Sequence, residues 1–380
     1  MARNIGNRLS QLSKRRQGMD RLGRIARDSQ IEIITKSALQ ESWQKRATNQ
    51  SYTRYALGSM QEVGPDYTRI SVETAERVGA QLKTGLGNAG IAADFRLQGS
   101  VPLNVHIRGV SDVDLITLDA DFMTYSTTGA LSLGGHYTGT ASAKTSVGVL
   151  TTLRSEAEKI LKSKYPAATV DTTGSKAINI SGGSLARPVD VVPSHWHDGH
   201  AYQNSRKEHD RTVTILNKMV PTTIDNLPFL HIKLIQERCE STWGGLRKAI
   251  RLCKNVKADV IEEGTSINFP SFDIAATMYH ADMEALKMGY FYELRILGET
   301  QRFLDLLYHN EAYAKTLLVP DSSRIIFDTQ EKYEAMKRLS SELDDLMKEV
   351  ANEQVPFLHT TDGHVLKPSR DAIWSVQVPS

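Results

Sequence analysis

Residues Leu97–Leu118 read LQGSVPLNVHIRGVSDVDLITL, and the fold turns on this stretch. Asp112 and Asp114 alternate with Val113, Leu115 and Ile116, the pattern of a buried strand running from Asp112 to Leu118. Residues two apart on a strand share a face, with Cα atoms about 6–7 Å apart. Two carboxylates at that spacing can bridge a hard divalent cation. Burying them side by side without positive charge is unfavourable, so a purely structural D-x-D on a core strand is hard to justify. Twelve residues before Asp112, Gly99-Ser100 breaks a short strand, ADFRLQ at 93–98. Glycine permits a tight turn and close backbone approach. A serine hydroxyl and the amides after it can hold phosphate oxygens. Alone, Gly-Ser would read as a plain strand end; beside Asp112 and Asp114 it reads as a phosphate cradle next to a metal-binding pair. A third carboxylate would serve two metals, and Asp190, between Val189 and Val191 in ARPVDVVPS, is the candidate.

Outward from this centre, Ala75, Val78, Leu82 and Leu86 stripe a long helix from Asp66 that ends at Gly87 and Gly90. Residues 31–60 read as helical up to Gly64-Pro65. The Gly/Ser/Thr-rich segment 126–144 reads as a surface loop or flap. A helix at about 145–163 precedes the strands ATVDTT, AINISG and PVDVVP. From Asn204 onward the chain reads as predominantly helical. The expected organisation is α+β: a basic N-terminal arm with helices over 1–65, a mixed β-containing core over 66–205, a helical lobe over 206–352 that completes a cleft, and an irregular tail over 353–380.

The chain has 380 residues, 40% apolar and 24% charged, which excludes a disordered or fibrous protein. No apolar run approaches a membrane span, and the N-terminus lacks the apolar stretch of a secretory signal. Two cysteines, Cys239 and Cys253, support neither a disulfide framework nor a four-sulfur zinc site, so a reducing, cytoplasmic setting is expected. Net charge is only +2, yet residues 1–30 hold eight basic residues against two acidic ones. That arm reads first as a frayed, solvated helix and second as a nucleic-acid-binding arm. His195, His197 and His200 in HWHDGH fit no strong zinc spacing and read as a polar loop. His231 and His280 read as ordinary helix residues. Arg247, Arg251 and Lys254 fall at i, i+4 and i+7, a stripe that is more often a solvated helix face than a site.

Taken together, GS, D-x-D twelve residues on and a later apolar-Asp-apolar strand resemble the DNA polymerase β-like nucleotidyltransferases. Within them, the chain is similar to the bacterial cyclic-oligonucleotide synthases, the DncV-like CD-NTases, relatives of cyclic GMP-AMP synthase and oligoadenylate synthase. The resemblance covers roughly residues 66–290 and includes the spine helix, SDVDLI, VDVVP, LPFLHIKLIQER, GGLRKAIRLCK and FPSFDIAATM. One departure is Asn104-Val105, where the family often has Gly-Thr. The resemblance implies a polymerase β-like core, a small mixed sheet with flanking helices, followed by a C-terminal helical lobe. It implies two Mg²⁺ ions, with Mn²⁺ as a substitute, on Asp112, Asp114 and Asp190. It implies a donor triphosphate on Gly99, Ser100, Lys254 and Ser271, and a base stacked on Phe272; the bland alternative is a capping Ser271 beside a core Phe272. The implied reaction joins NTPs into a cyclic di- or trinucleotide messenger with loss of pyrophosphate, in antiphage signalling of the CBASS type, through a separate effector that the product activates. No nucleic-acid ligand and no membrane are expected to be required. The rival readings are a nucleotidyltransferase that modifies RNA or protein, and a non-catalytic nucleotide-binding protein of the same fold.

Overall fold

The computed structural model describes residues 4–17, 41–138, 142–355 and 366–379. Ten helices carry the argument: α1 (Ile5–Gln17), α2 (Ser51–Met60), α3 (Pro65–Asn88), α4 (Ser146–Lys164), α5 (Pro228–Ser241), α6 (Gly245–Glu262), α7 (Ser271–Met278), α8 (Leu294–His309), α9 (Gln330–Gln354) and α10 (Leu366–Ile373). The strands are β1 (Ala93–Gln98), β2 (Val113–Tyr125), β3 (Ala168–Asp171), β4 (Ile178–Gly182), β5 (Val189–Asp198), β6 (Thr212–Asn217) and β7 (Thr222–Asn226). They form one α+β sheet in the order β1-β2-β5-β4-β3. β6 joins the second half of β5, and β7 pairs with β6. Only the central pair, β2 with β5, is parallel; the other pairings are antiparallel.

Strand alternation assigns the faces. Val113 and Leu115 of β2 with Val189 and Val191 of β5 point into a core shared with α3 and α4. Ile116, Leu118 and Val192 point the other way, into a smaller cluster with Trp196, Val213 and Ile215. The acids at 114 and 190 lie in register with this second face. α3 begins at Pro65, suited to a first turn that needs no N–H, and its C-terminus is followed by Gly90 at φ +77°.

The structure departs from the sequence reading in five places. The strand that carries Asp114 begins at Val113 and continues to Tyr125, not from Asp112 to Leu118. Two strands, β6 and β7, lie beyond residue 205, so the sheet extends into the expected helical region; they are short, and only their sheet partners reveal them. The segment from 126 leaves the far end of β2, eleven residues or about 35 Å along the strand from Asp114. Its described part is pinned there: Tyr137 stacks on Tyr125 at 4.1 Å and donates to Asp198. That described part thus lies away from the acids, as the surface-loop reading has it; residues 139–141 of the expected flap lie outside the described residues. The C-terminal region holds α10, which packs Ile373 into the helical core, because a single buried residue per turn suffices to dock a short helix. Residues 18–40, part of the expected N-terminal arm and helix, lie outside the described residues.

The fifth departure concerns α1, which is neither solvated nor available to a polyanion. Arg8 donates to Glu263 at 2.6 Å and to Glu342 at 3.0 Å. Arg15 donates to buried Asp259 at 2.8 Å, and Tyr55 donates to the same carboxylate. Arg16 donates to Glu41 and to the carbonyls of Gln61 and Glu62. All three arginines are buried, and Leu12 sits in the helical core with Tyr55, Leu57 and Met60. The charge of the arm was legible in sequence; the acids that hold Arg8 and Arg15, more than 240 residues away, were not. Arg15→Met strands Asp259 as a buried charge and is expected to lower stability by about 3–5 kcal/mol. Urea unfolding of this variant beside wild type checks it, and an unchanged midpoint would return α1 to the solvated reading.

Candidate active site

Parallel pairing of β2 and β5 sets Asp114 directly opposite Asp190. Asp112 lies one residue before β2. Antiparallel β4 sets Asn179 opposite Asp190 on the other side. The Asn179 amide Nδ2 donates to Asp190 Oδ1 at 2.8 Å and to Asp112 Oδ2 at 3.3 Å, so one neutral side chain ties two of the acids together. β1 ends opposite Asp114 at Gln98, and Gly99 then turns at φ +77°. A Cβ at Gly99 would lie 2.1 Å from Asp114 Oδ2. Both the left-handed backbone and this approach demand glycine.

The three acids, Gln98 and Gly99 line one cavity of about 360 Å³, with Asn179 behind them. Its walls bring together the residues expected to hold metal and nucleotide: Gly99, Ser100, Asp112, Asp114 and Asp190 from the sheet side, and Lys254, Ser271 and Phe272 from the helical side. Lys254 of α6 is buried and donates to Val105 O at 2.9 Å and Ser111 Oγ at 3.1 Å. Ser271 is the first residue of α7 and Pro270 holds the cap position, so Ser271 is not the N-cap. Phe272 is 40% exposed, so it is not a core residue. Its ring stacks on His231 at 4.1 Å between centroids, and the Arg324 guanidinium lies 5.3 Å from the ring centre.

Sequence reasoning missed three contributors. Asn179 carries no signal in AINISG beyond a strand. His231, read as an ordinary helix residue, is buried at the cavity wall with Nδ1 unpartnered among the described residues. Ser111 was quoted only as the neighbour of Asp112. The HWHDGH histidines are dispersed: His195 is buried against Phe122, while His197 and His200 pair with Thr124 and Thr128.

Burial, with Asp190 and Asp112 alongside, pushes the Asp114 carboxyl up to about 7, although Lys254 opposes the shift. Burial also raises Asp190, against the Asn179 hydrogen bond. Lys254 is pulled down to about 7 by burial, and Asp114 resists that change. Burial thus disfavours charge of either sign in this site, and a divalent cation would offset that cost for the carboxylates. No three His, Cys, Asp or Glu side chains among the described residues already converge on one ion position.

A carboxyl with a raised folded pKa favours the folded state at low pH, and its contribution falls as pH rises from about 4 to about 7. Asp114→Asn removes this term. Without divalent metal, its thermal midpoint is expected at or above that of wild type at pH 8, with the gap closing towards pH 4. A variant that melts well below wild type at pH 8 would show that the ionised carboxylate stabilises the resting protein.

No protein-family model matches the chain. A protein from Yersinia aleksiciae named cyclic dinucleotide synthase CdnE is 43% identical over 315 residues, 83% of this chain and 81% of the relative. A c-di-GMP synthase from Capnocytophaga granulosa is 31% identical over 76% of this chain and 85% of its own length. The solved structure of a STING-associated CdnE c-di-GMP synthase from Capnocytophaga granulosa superposes with a TM-score of 0.66 at 26% identity, covering 90% of this chain and 97% of that one. With Asp112, Asp114 and Asp190, the Gly-Ser turn and the helical wall around one cavity, this extent of identity shows that the chain belongs to the CdnE cyclic dinucleotide synthases, nucleotidyltransferases of the CD-NTase group.

Proposed function

We propose that the protein is a Mg²⁺-dependent synthase that joins two NTPs into a cyclic dinucleotide with loss of two pyrophosphates. The observation that carries this reading is the convergence of Asp112, Asp114, Asp190, Gly99-Ser100, Lys254 and the Phe272–His231 stack on one cavity. Asp112, Asp114 and Asp190 would hold the metal ions, which supply charge neutralisation at the phosphates and acidify the acceptor ribose hydroxyl. The Ser100 hydroxyl and Lys254 Nζ orient the donor triphosphate for in-line attack at its α-phosphorus. Ser271 lies on the same phosphate side. Phe272 and His231 offer a base-stacking wall, and burial holds His231 neutral, down to about 4. The protein's work is positioning and electrostatics, with no covalent intermediate.

The names of the relatives favour a dinucleotide over a trinucleotide and make GTP the first substrate to test. The STING association of the solved Capnocytophaga granulosa synthase favours a separate effector that reads the product, the arrangement of an antiphage signalling pathway. Among the described residues no helix is long and apolar enough to cross a membrane. A cytoplasmic enzyme, where NTPs are abundant and Cys239 and Cys253 stay reduced, accords with this reading. RNA modification is less well supported, because α1 spends its arginines on internal ion pairs.

Incubation with all four NTPs and Mg²⁺, followed by alkaline phosphatase and mass spectrometry, is expected to leave a two-nucleotide species lacking terminal phosphates. Label transferred to RNA or protein, or a phosphatase-sensitive ladder, would overturn the reading. Asp114→Ala is expected to abolish product. Ser100→Ala is expected to reduce kcat/KM by an amount equivalent to about 1–3 kcal/mol, for the loss of a charge-assisted hydrogen bond.

A further inference from the structure

The basic stripe on α6 has main-chain partners that a solvated helix face would not give it. Arg247 Nε donates to Leu103 O at 3.1 Å, Arg251 Nη1 to Asn104 O at 2.7 Å, and Lys254 Nζ to Val105 O at 2.9 Å. Three cations at successive turns of one helix thus take the carbonyls of three successive residues. Those residues belong to the turn that begins at Gly99-Ser100. Val105 N in turn donates to Ser100 O at 3.1 Å, so the peptide gripped by α6 is bonded directly to Ser100.

The turn needs holding. Asn104 sits at φ +54°, the left-handed region where the family often has glycine; asparagine is one of the few other residues that enters it readily. Asn104 Nδ2 also donates to Glu62, and Arg251 Nε donates to Met60 O at the end of α2. Leu103 and Val105 are buried in the helical core rather than in the sheet's own core. Val101 packs in the sheet's core, so the far part of the turn, residues 103–105, is anchored to the helical half while the acids ride on the sheet. Arg247 and Arg251 do not line the cavity, whereas Lys254 does. Arg251 is 4% exposed, and its hydrogen bonds go to main-chain carbonyls, so its fork is committed to backbone geometry.

We propose that Arg247 and Arg251 are positioning residues that fix the turn 99–105 by its carbonyls, setting Ser100 and its neighbouring amides at the depth where they meet the donor phosphates, without touching the nucleotide. This rests on the nucleotide-site reading above. A misplacement of the turn by about 1 Å would cost on the order of 100-fold in rate.

The test uses the full chain with Mg²⁺ and a non-hydrolysable α,β-methylene GTP or ATP as probe. Calorimetric affinity for the probe, kcat and KM with the natural NTPs, and thermal midpoint are measured for Arg247→Met, Arg247→Lys, Arg251→Met, Asn104→Gly and Asn104→Ala. Arg247 is partly exposed, so its variants remain informative if Arg251→Met does not fold. Arg247→Met is expected to keep its thermal midpoint within a few degrees. It is expected to bind the probe about tenfold more weakly and to lose kcat as well as affinity. Arg247→Lys, which keeps a donor, is expected to recover part of both. Asn104→Gly, which accepts the left-handed backbone, is expected to stay closer to wild type than Asn104→Ala. If wild type binds the probe and Arg247→Met matches it in affinity and kcat, the positioning role is overturned while the nucleotide site stands. If wild type binds neither probe, the nucleotide reading fails and this proposal fails with it.

Discussion

The parallel pairing of β2 with β5 confronts Asp114 with Asp190, and much of the surrounding structure answers that confrontation. A fold left to stability alone would not place two carboxylates across adjacent strands with a third beside them. The response is local and specific. Asn179 ties two of the acids with amide hydrogens, Lys254 brings a buried cation, and Gly99 gives up its side chain so that the turn can lie against Asp114. Each would be a poor choice for packing and is a good one for a site that takes cations and phosphates.

The second constraint is that the site has two owners. Asp114 and Asp190 ride on the sheet, whose core is filled by α3 and α4. Lys254, Ser271, Phe272 and His231 ride on helices whose core also holds α1, α2, Leu103 and Val105. The stretch between Gly99 and Asp112 starts and ends at the sheet but buries its middle in the helical half. It acts as the joint between the two, and any shift of one half against the other would be felt first at Ser100 and Asp112.

Much of this was legible from residues alone where the signal was local. Period-2 alternation exposes D-x-D and Asp190 as misplaced charges on core strands, and Gly99-Ser100 gains meaning from its distance to them. The apolar stripes of α3, α4 and α9 likewise lie within their own windows. What escaped depends on partners far along the chain. The arginines of α1 look solvated until Asp259, Glu263 and Glu342 are beside them. The stripe at 247, 251 and 254 looks like a wet helix face until the carbonyls of 103–105 are set against it. β6 and β7 are short strands whose identity comes from β5. Asn179 and His231 are unremarkable residue types whose importance lies wholly in what stands next to them.

The ion pairs of α1 also bear on how the chain is made. Arg15 pairs with a residue 244 positions later, and Arg8 with one 334 positions later. At a synthesis rate of about 5–20 residues per second, this basic helix waits tens of seconds for Glu342 to leave the ribosome, beside a polyanionic surface for which its arginines are well suited. The sheet can assemble from residues 65–226 in the meantime, so the order of appearance favours a finished sheet and an unfinished helical half. Release of α1 from any electrostatic detour, and its capture by Asp259, would then be the late event that completes the molecule.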